Sequence, residues 1–94
     1  MYTVVYTKQF GKSFKKLIKQ SKVLLLQEEL EECVVTLAQG KKLTASYRDH
    51  KLQGVWGGAR EFHLRGDVLV IYEIQENILV LTLFDIGSHA QLFG

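Results

Sequence analysis

Proline is absent from these 94 residues, and cysteine, methionine and tryptophan occur once each. Without proline, no segment is barred from helix or sheet on that ground. The lone Cys33 excludes an internal disulfide and a cysteine-rich zinc site. No apolar run approaches the roughly 18 residues that span a bilayer, so no membrane partner is expected. The N-terminus carries Lys8, Lys12, Lys15, Lys16 and Lys19 instead of the apolar stretch of a signal peptide. The expected location is the cytoplasm. Acid is missing from residues 1–22, which hold six lysines.

What is present is a globular composition. Hydrophobic residues make up 47% of the chain, unlike a disordered segment. The length suits a single domain over residues 1–94. The net charge is only +2 but unevenly spread. Glu28, Glu29, Glu31 and Glu32 follow the basic start, and Lys41, Lys42, Arg48, Lys51, Arg60 and Arg65 come later. Such separation can build a basic face for phosphate backbones; solvated faces of two amphipathic helices would look the same.

Residues 2–6 are β-branched and aromatic and read as a strand. Thr7 is placed to cap a helix with Phe10, Phe14, Leu17 and Ile18 at helical spacing. Ser21 is placed to cap a second. Its stripe is Leu26, Leu30, Cys33, Val34 and Leu37, and Gly40 supplies its stop. Residues 40–58 show no clear period and read as a long connection that Leu52 and Trp56 pin to the core. Residues 59–65 alternate, with Arg60, Phe62 and Leu64 on one side and Glu61, His63 and Arg65 on the other. Arg65-Gly66 signals a turn. Residues 67–75 and 77–86 read as two long strands joined near Glu76-Asn77. The predicted fold is α+β, in the order β-α-α-β-β-β. The helices cover one face of a small, mainly antiparallel sheet. The loop and a short C-terminal tail cover part of the other.

All three histidines have an acid nearby in sequence: Asp49 beside His50, Glu61 and Asp67 near His63, and Asp85 near His89. Histidine exchanges protons near neutral pH. A loop, a strand and a tail converging over one sheet face would form a cleft with acid, base and cation. That set suits cleavage of an RNA phosphodiester. A base takes the 2′-hydroxyl proton, the 2′-oxygen attacks phosphorus, a cation holds the phosphoryl charge, and an acid protonates the leaving 5′-oxygen. Zinc is the other use of three histidines. Separations of 13 and 26 residues match no compact ligand motif, so neither metal nor cofactor is expected.

Several segments together carry a family resemblance. They are His50-Lys51-Leu52-Gln53-Gly54-Val55-Trp56, Gly58-Ala59-Arg60-Glu61-Phe62-His63, Asp67, Leu69-Val70-Ile71-Tyr72, and Gly87-Ser88-His89-Ala90-Gln91-Leu92-Phe93-Gly94. This combination resembles the YafQ branch of the RelE/ParE toxin superfamily over essentially the whole chain. The resemblance implies a fold similar to microbial ribonucleases and metal-free cleavage of messenger RNA in the ribosomal A site. It implies a cognate antitoxin as partner, with operator DNA bound only through the toxin–antitoxin complex. It assigns catalysis to His50, His63, Asp67 and His89, and nucleotide positioning to Phe93. Three positions depart from the family. Glu61 stands where aspartate is frequent, and Val68 where tryptophan often follows the catalytic aspartate. Asp85 stands where many members have arginine. Arg60, Lys51, Arg48 and Arg65 are the cations available to replace that arginine, and Glu61 joins the expected substrate-binding set. Two other readings fit the residues: a non-catalytic module on the same fold, of antitoxin-binding or gyrase-poison type, and a free RNA-binding protein with Tyr72 as its stacking aromatic.

Overall fold

The computed structural model describes residues 1–20, 23–65 and 67–94, and only the backbone of Val23, Leu24 and Val55. The elements are β1 (Thr3–Tyr6), α1 (Lys8–Gln20), α2 (Val23–Ala38), β2 (His50–Lys51), β3 (Arg60–Arg65), β4 (Val68–Gln75), β5 (Val80–Ser88) and α3 (His89–Phe93). Single 3-10 turns at Ala45–Tyr47 and Gly54–Trp56 flank β2. Among the described residues, no helix is long and apolar enough to cross a membrane.

Local chemistry sets the helix ends. The Phe10 amide donates to Thr7 Oγ1 at 3.0 Å, and that hydroxyl donates to the Phe84 carbonyl at 2.7 Å. The cap therefore satisfies a helix-start amide and ties α1 to β5. At the end of α2, Gly40 has φ +79°. Its amide donates to the Leu37 carbonyl, and the Lys41 amide to that of Thr36, the paired closure that a left-handed glycine allows. The expected cap Ser21 and turn residue Gly66 lie outside the described residues.

The sheet order is β1-β5-β4-β3-β2. β1 joins β5 in parallel, and the other pairings are antiparallel. One face carries Phe62, Leu64, Val70, Tyr72, Leu81, Leu83 and Ile86. These form the core with Phe10, Leu26, Leu30, Cys33, Val34 and Leu37 of the helices. Fully burying one such side chain is worth about 1.5–3 kcal/mol. Cys33 is buried as expected, and desolvation is the largest cause raising its pKa to about 11. Leu69 and Ile71 are also buried. The connection is anchored by the Trp56 ring against Phe84, centroids 6.4 Å apart.

The structure corrects four expectations. The segment read as loop contains β2, whose two residues are too few to show alternation. The tail is a helix whose capping box pairs the Ser88 and Gln91 side chains with each other's amides, a signal present in the sequence as Ser-x-x-Gln. The last long strand begins at Val80, not residue 77. Ile78 and Leu79 form the exposed turn, and Leu79 has φ 54°. Their apolarity imitated a strand. Finally, Tyr72 is 1% exposed, so it offers no stacking surface for RNA.

Candidate active site

Alternation along β3 brings Glu61 and His63 to the sheet face opposite the helices. β2 then supplies His50, which pairs directly with Glu61. Glu61 is the one buried charged residue among those described, at 5% exposure. A carboxylate taken out of water needs compensating partners. Here they are imidazoles: Glu61 Oε1 lies 3.4 Å from His50 Nε2 and 3.6 Å from His63 Nε2.

Arg48 closes the arrangement. It follows a 3-10 turn with φ 49°, in the left-handed region that a non-glycine residue enters at a cost. Its carbonyl lies 2.7 Å from His50 Nδ1, and its guanidinium Nη2 3.2 Å from His63 Nδ1. A carbonyl only accepts, so His50 Nδ1 carries a proton. A guanidinium only donates, so His63 Nδ1 accepts and its proton sits on Nε2, toward Glu61. His63 has its pKa lowered, first by burial and then by Arg48; Glu61 acts in the opposite sense, and His50 and His89 lower it further. His89, the first residue of α3, thus stands within electrostatic reach of His63. Its ring packs on Phe93 with centroids 5.0 Å apart.

The other expected site residues divide. Asp67 is exposed and precedes Val68, which pairs with Ser88. It therefore neighbours the strand end that carries His89. Among the described residues, the polar partners of His63 are Arg48 and Glu61, so Glu61 orients this ring. Three of the four candidate cations turn away. Arg60 lies on the helix side, where its Nε donates to Asp49 Oδ1 at 3.0 Å. Lys51 pairs with Arg60 and shares its side of the sheet. Arg65 was expected beside His63, but a bulge between His63 and Arg65 reverses it, and it pairs with Glu29 of α2. Arg48 is the candidate cation that reaches the histidines. Asp85 pairs with Ile71, which pairs with Glu61, and Asp85 Oδ1 accepts from the Ile86 amide at 2.8 Å.

Ligand atoms of His50, Glu61 and His63 all lie within 4.8 Å of one another. Two imidazole nitrogens and a carboxylate oxygen are a donor set that transition metals accept. The sequence spacing hid this set because the β2–β3 pairing closes a separation of 13 residues.

A small α+β fold with two helices on one sheet face and a histidine–carboxylate–arginine cluster on the other defines a class of protein equipped for acid–base chemistry. Residues 2–94 match the family described as a bacterial toxin of type II toxin–antitoxin system, YafQ. The mRNA interferase toxin YafQ of Escherichia coli strain B / BL21-DE3 is 33% identical over 92 residues, 97% of this chain and 95% of that protein. The crystal structure of the E. coli DinJ-YafQ toxin-antitoxin complex matches with a TM-score of 0.83 at 31% identity, covering 99% of this chain and 98% of that one. That of a metal-bound toxin from Helicobacter pylori matches with a TM-score of 0.87 at 38% identity, covering 99% and 100%. The chain belongs to the YafQ family of type II toxins.

Proposed function

We propose that this toxin is an mRNA interferase, an endoribonuclease that cleaves messenger RNA in the ribosomal A site by histidine acid–base catalysis. The reading rests on one observation: two imidazoles and a guanidinium converge on a buried carboxylate. Its E. coli relative is named an mRNA interferase toxin. Arg48 is the cation for the scissile phosphate. Drawn to that phosphate, its guanidinium leaves the His63 Nδ1 lone pair free to take the 2′-hydroxyl proton. The 2′-oxygen attacks phosphorus, and the leaving 5′-oxygen takes a proton from His89. His50 shares the 2′-hydroxyl side of the site with His63, and Glu61 orients both rings and holds positive charge arriving on them. Asp67 acts beside His89, and Phe93 positions the nucleotide. The products are a 2′,3′-cyclic phosphate end and a 5′-hydroxyl.

A single domain over residues 1–94 works in the cytoplasm on this reading. It is held inactive by a cognate antitoxin, as the E. coli toxin-antitoxin complex suggests, and reaches operator DNA only within that complex. The exposed lysines of α1, with Lys41 and Lys42, face ribosomal RNA.

Single-turnover cleavage on programmed ribosomes tests the proposal. His63→Ala and His89→Ala should each lower the rate by about 10²-fold or more, the low end for a proton-transfer group. They should also relieve growth inhibition without unfolding the protein. Full activity in the double variant would leave the fold as a binding module.

A second occupant of the cluster is favoured by the His50–Glu61–His63 donor set and by the metal-bound H. pylori relative. A transition metal held there would take the Nε2 atoms that face Glu61, and its charge would oppose protonation of His63 at Nδ1. We read it as an inhibitor, with cleavage itself running without metal.

A further inference from the structure

We propose that Asp49, Arg60 and Tyr72 form a clamp on the helix side of the sheet that positions His50 on the other side, making Asp49 a positioning residue for the cleavage reaction. The inference rests on the reading of His50 as part of the catalytic cluster.

The need for a clamp follows from the strand that carries His50. β2 has two residues, lies at the sheet edge and pairs on one side only, through His50 with Glu61 and Lys51 with Arg60. So short a strand has little hold of its own, and the His50 side chain is 51% exposed. Packing therefore does not fix the ring, and its bonds to the Arg48 carbonyl and Glu61 hold only while the β2 backbone stays in place. Neighbouring residues of an extended chain point to opposite faces, so Asp49 enters the helix side as His50 enters the cluster. There both Asp49 carboxylate oxygens are taken. Arg60 Nε donates to Oδ1 at 3.0 Å, and the Tyr72 hydroxyl donates to Oδ2 at 2.5 Å.

Both donors belong to rigid parts of the sheet. Arg60 and Tyr72 face each other across β3 and β4, and Tyr72 is 1% exposed within the core. Burial and the Asp49 charge push the Tyr72 phenol up, which keeps it a donor. Charge-assisted bonds of this kind are about twice as strong as neutral ones. Removing Asp49 would orphan a buried hydroxyl and release the backbone just before His50. Misplacing a reacting group by about 1 Å can cost 10²-fold in rate.

The test combines Asp49→Ala, Asp49→Asn and Tyr72→Phe with His50→Ala, in full-length protein on programmed ribosomes. Asp49→Ala should lower single-turnover cleavage by about 10-fold or more while ribosome binding stays unchanged. Asp49→Asn, which keeps an acceptor, should recover part of the loss, and Tyr72→Phe, which deletes one oxygen, should lose less. In the His50→Ala background Asp49→Ala should cost nothing further, because the two act through one ring. A multiplicative loss in the double variant would overturn the clamp and leave Asp49 a general stability element. Full activity in His50→Ala would instead sink the reading of His50 as catalytic. Geometry then decides for the clamp: the nuclear Overhauser contact between the His50 and His63 rings should weaken in Asp49→Ala and Tyr72→Phe. Amide exchange should rise at His50 and Lys51 but not in β4 or β5. Unchanged contacts and exchange would overturn the proposal whatever the activity.

Discussion

Glu61 stands directly opposite His50 across the β2–β3 pair, with its Oε1 3.4 Å from the His50 Nε2. The same oxygen is 3.6 Å from His63 Nε2. One buried carboxylate therefore serves two imidazoles that come from different parts of the chain. Glu61→Gln keeps the shape and removes the charge. His63, whose pKa Glu61 raises against burial and Arg48, should then titrate lower still. Cleavage should fall, by less than the roughly 10²-fold of a proton-transfer group itself. Nuclear magnetic resonance titration of the His63 ring checks the first point. An unmoved titration would show that the carboxylate does not govern this ring.

Stability should depend on pH through His63. Its folded pKa lies below its ordinary value of 6.5, chiefly because of burial and then Arg48. Between the folded pKa and 6.5 the unfolded chain binds more protons, so stability rises with pH there. The contribution is fully present above 6.5 and is lost as pH falls through the folded pKa. Urea unfolding across this window should show a shallower acid slope for His63→Gln than for the parent. Equal slopes would mean the ring does not titrate differently on folding.

Asp85 occupies a position where arginine is frequent in the family, in the strand row that includes Ile71 and Glu61. On the proposed function, it adds negative charge near the site that receives the scissile phosphate. Asp85→Arg should raise single-turnover cleavage by about tenfold, equivalent to roughly 1.4 kcal/mol off the barrier. A lower rate would show that Asp85, with its bond to the Ile86 amide, serves the site as it stands.

Copper or zinc ions should inhibit cleavage by occupying His50, Glu61 and His63. Calorimetry should show binding that is lost in His50→Ala and His63→Ala, and EDTA should restore activity to metal-treated protein. A rate that rises with added metal would contradict the metal-free mechanism.

The lysines of α1 should govern ribosome affinity through phosphate contacts. Replacing Lys12, Lys15, Lys16 and Lys19, all exposed, by alanine should weaken binding. It should also reduce the slope of log affinity against log salt by up to about 3. An unchanged slope would make them an ordinary solvated face.

Local patterns in the sequence determined the two helices, the three long strands and the grouping of Glu61 with His63. A helical stripe such as Leu26, Leu30, Cys33 and Leu37 needs only its own spacing to declare a buried face. Strand alternation likewise orders neighbours within one strand. Capping chemistry was equally local at Thr7 and Gly40, and Ser88 with Gln91 carried the signal of α3. The tertiary structure decided what meets what between elements. Pairing of the two-residue β2 with β3 brought His50 to Glu61 and made a donor set that spacing had concealed. The bulge after His63 sent Arg65 to α2, whereas Arg60 kept the face that alternation had given it and gained Asp49 as its partner there. Arg48 became the cation at the site through a left-handed backbone that no periodicity announces. A pattern along the chain records which face a residue prefers. Register, bulges and turns depend on the energy of the whole sheet, and these placed the charged groups around the histidines.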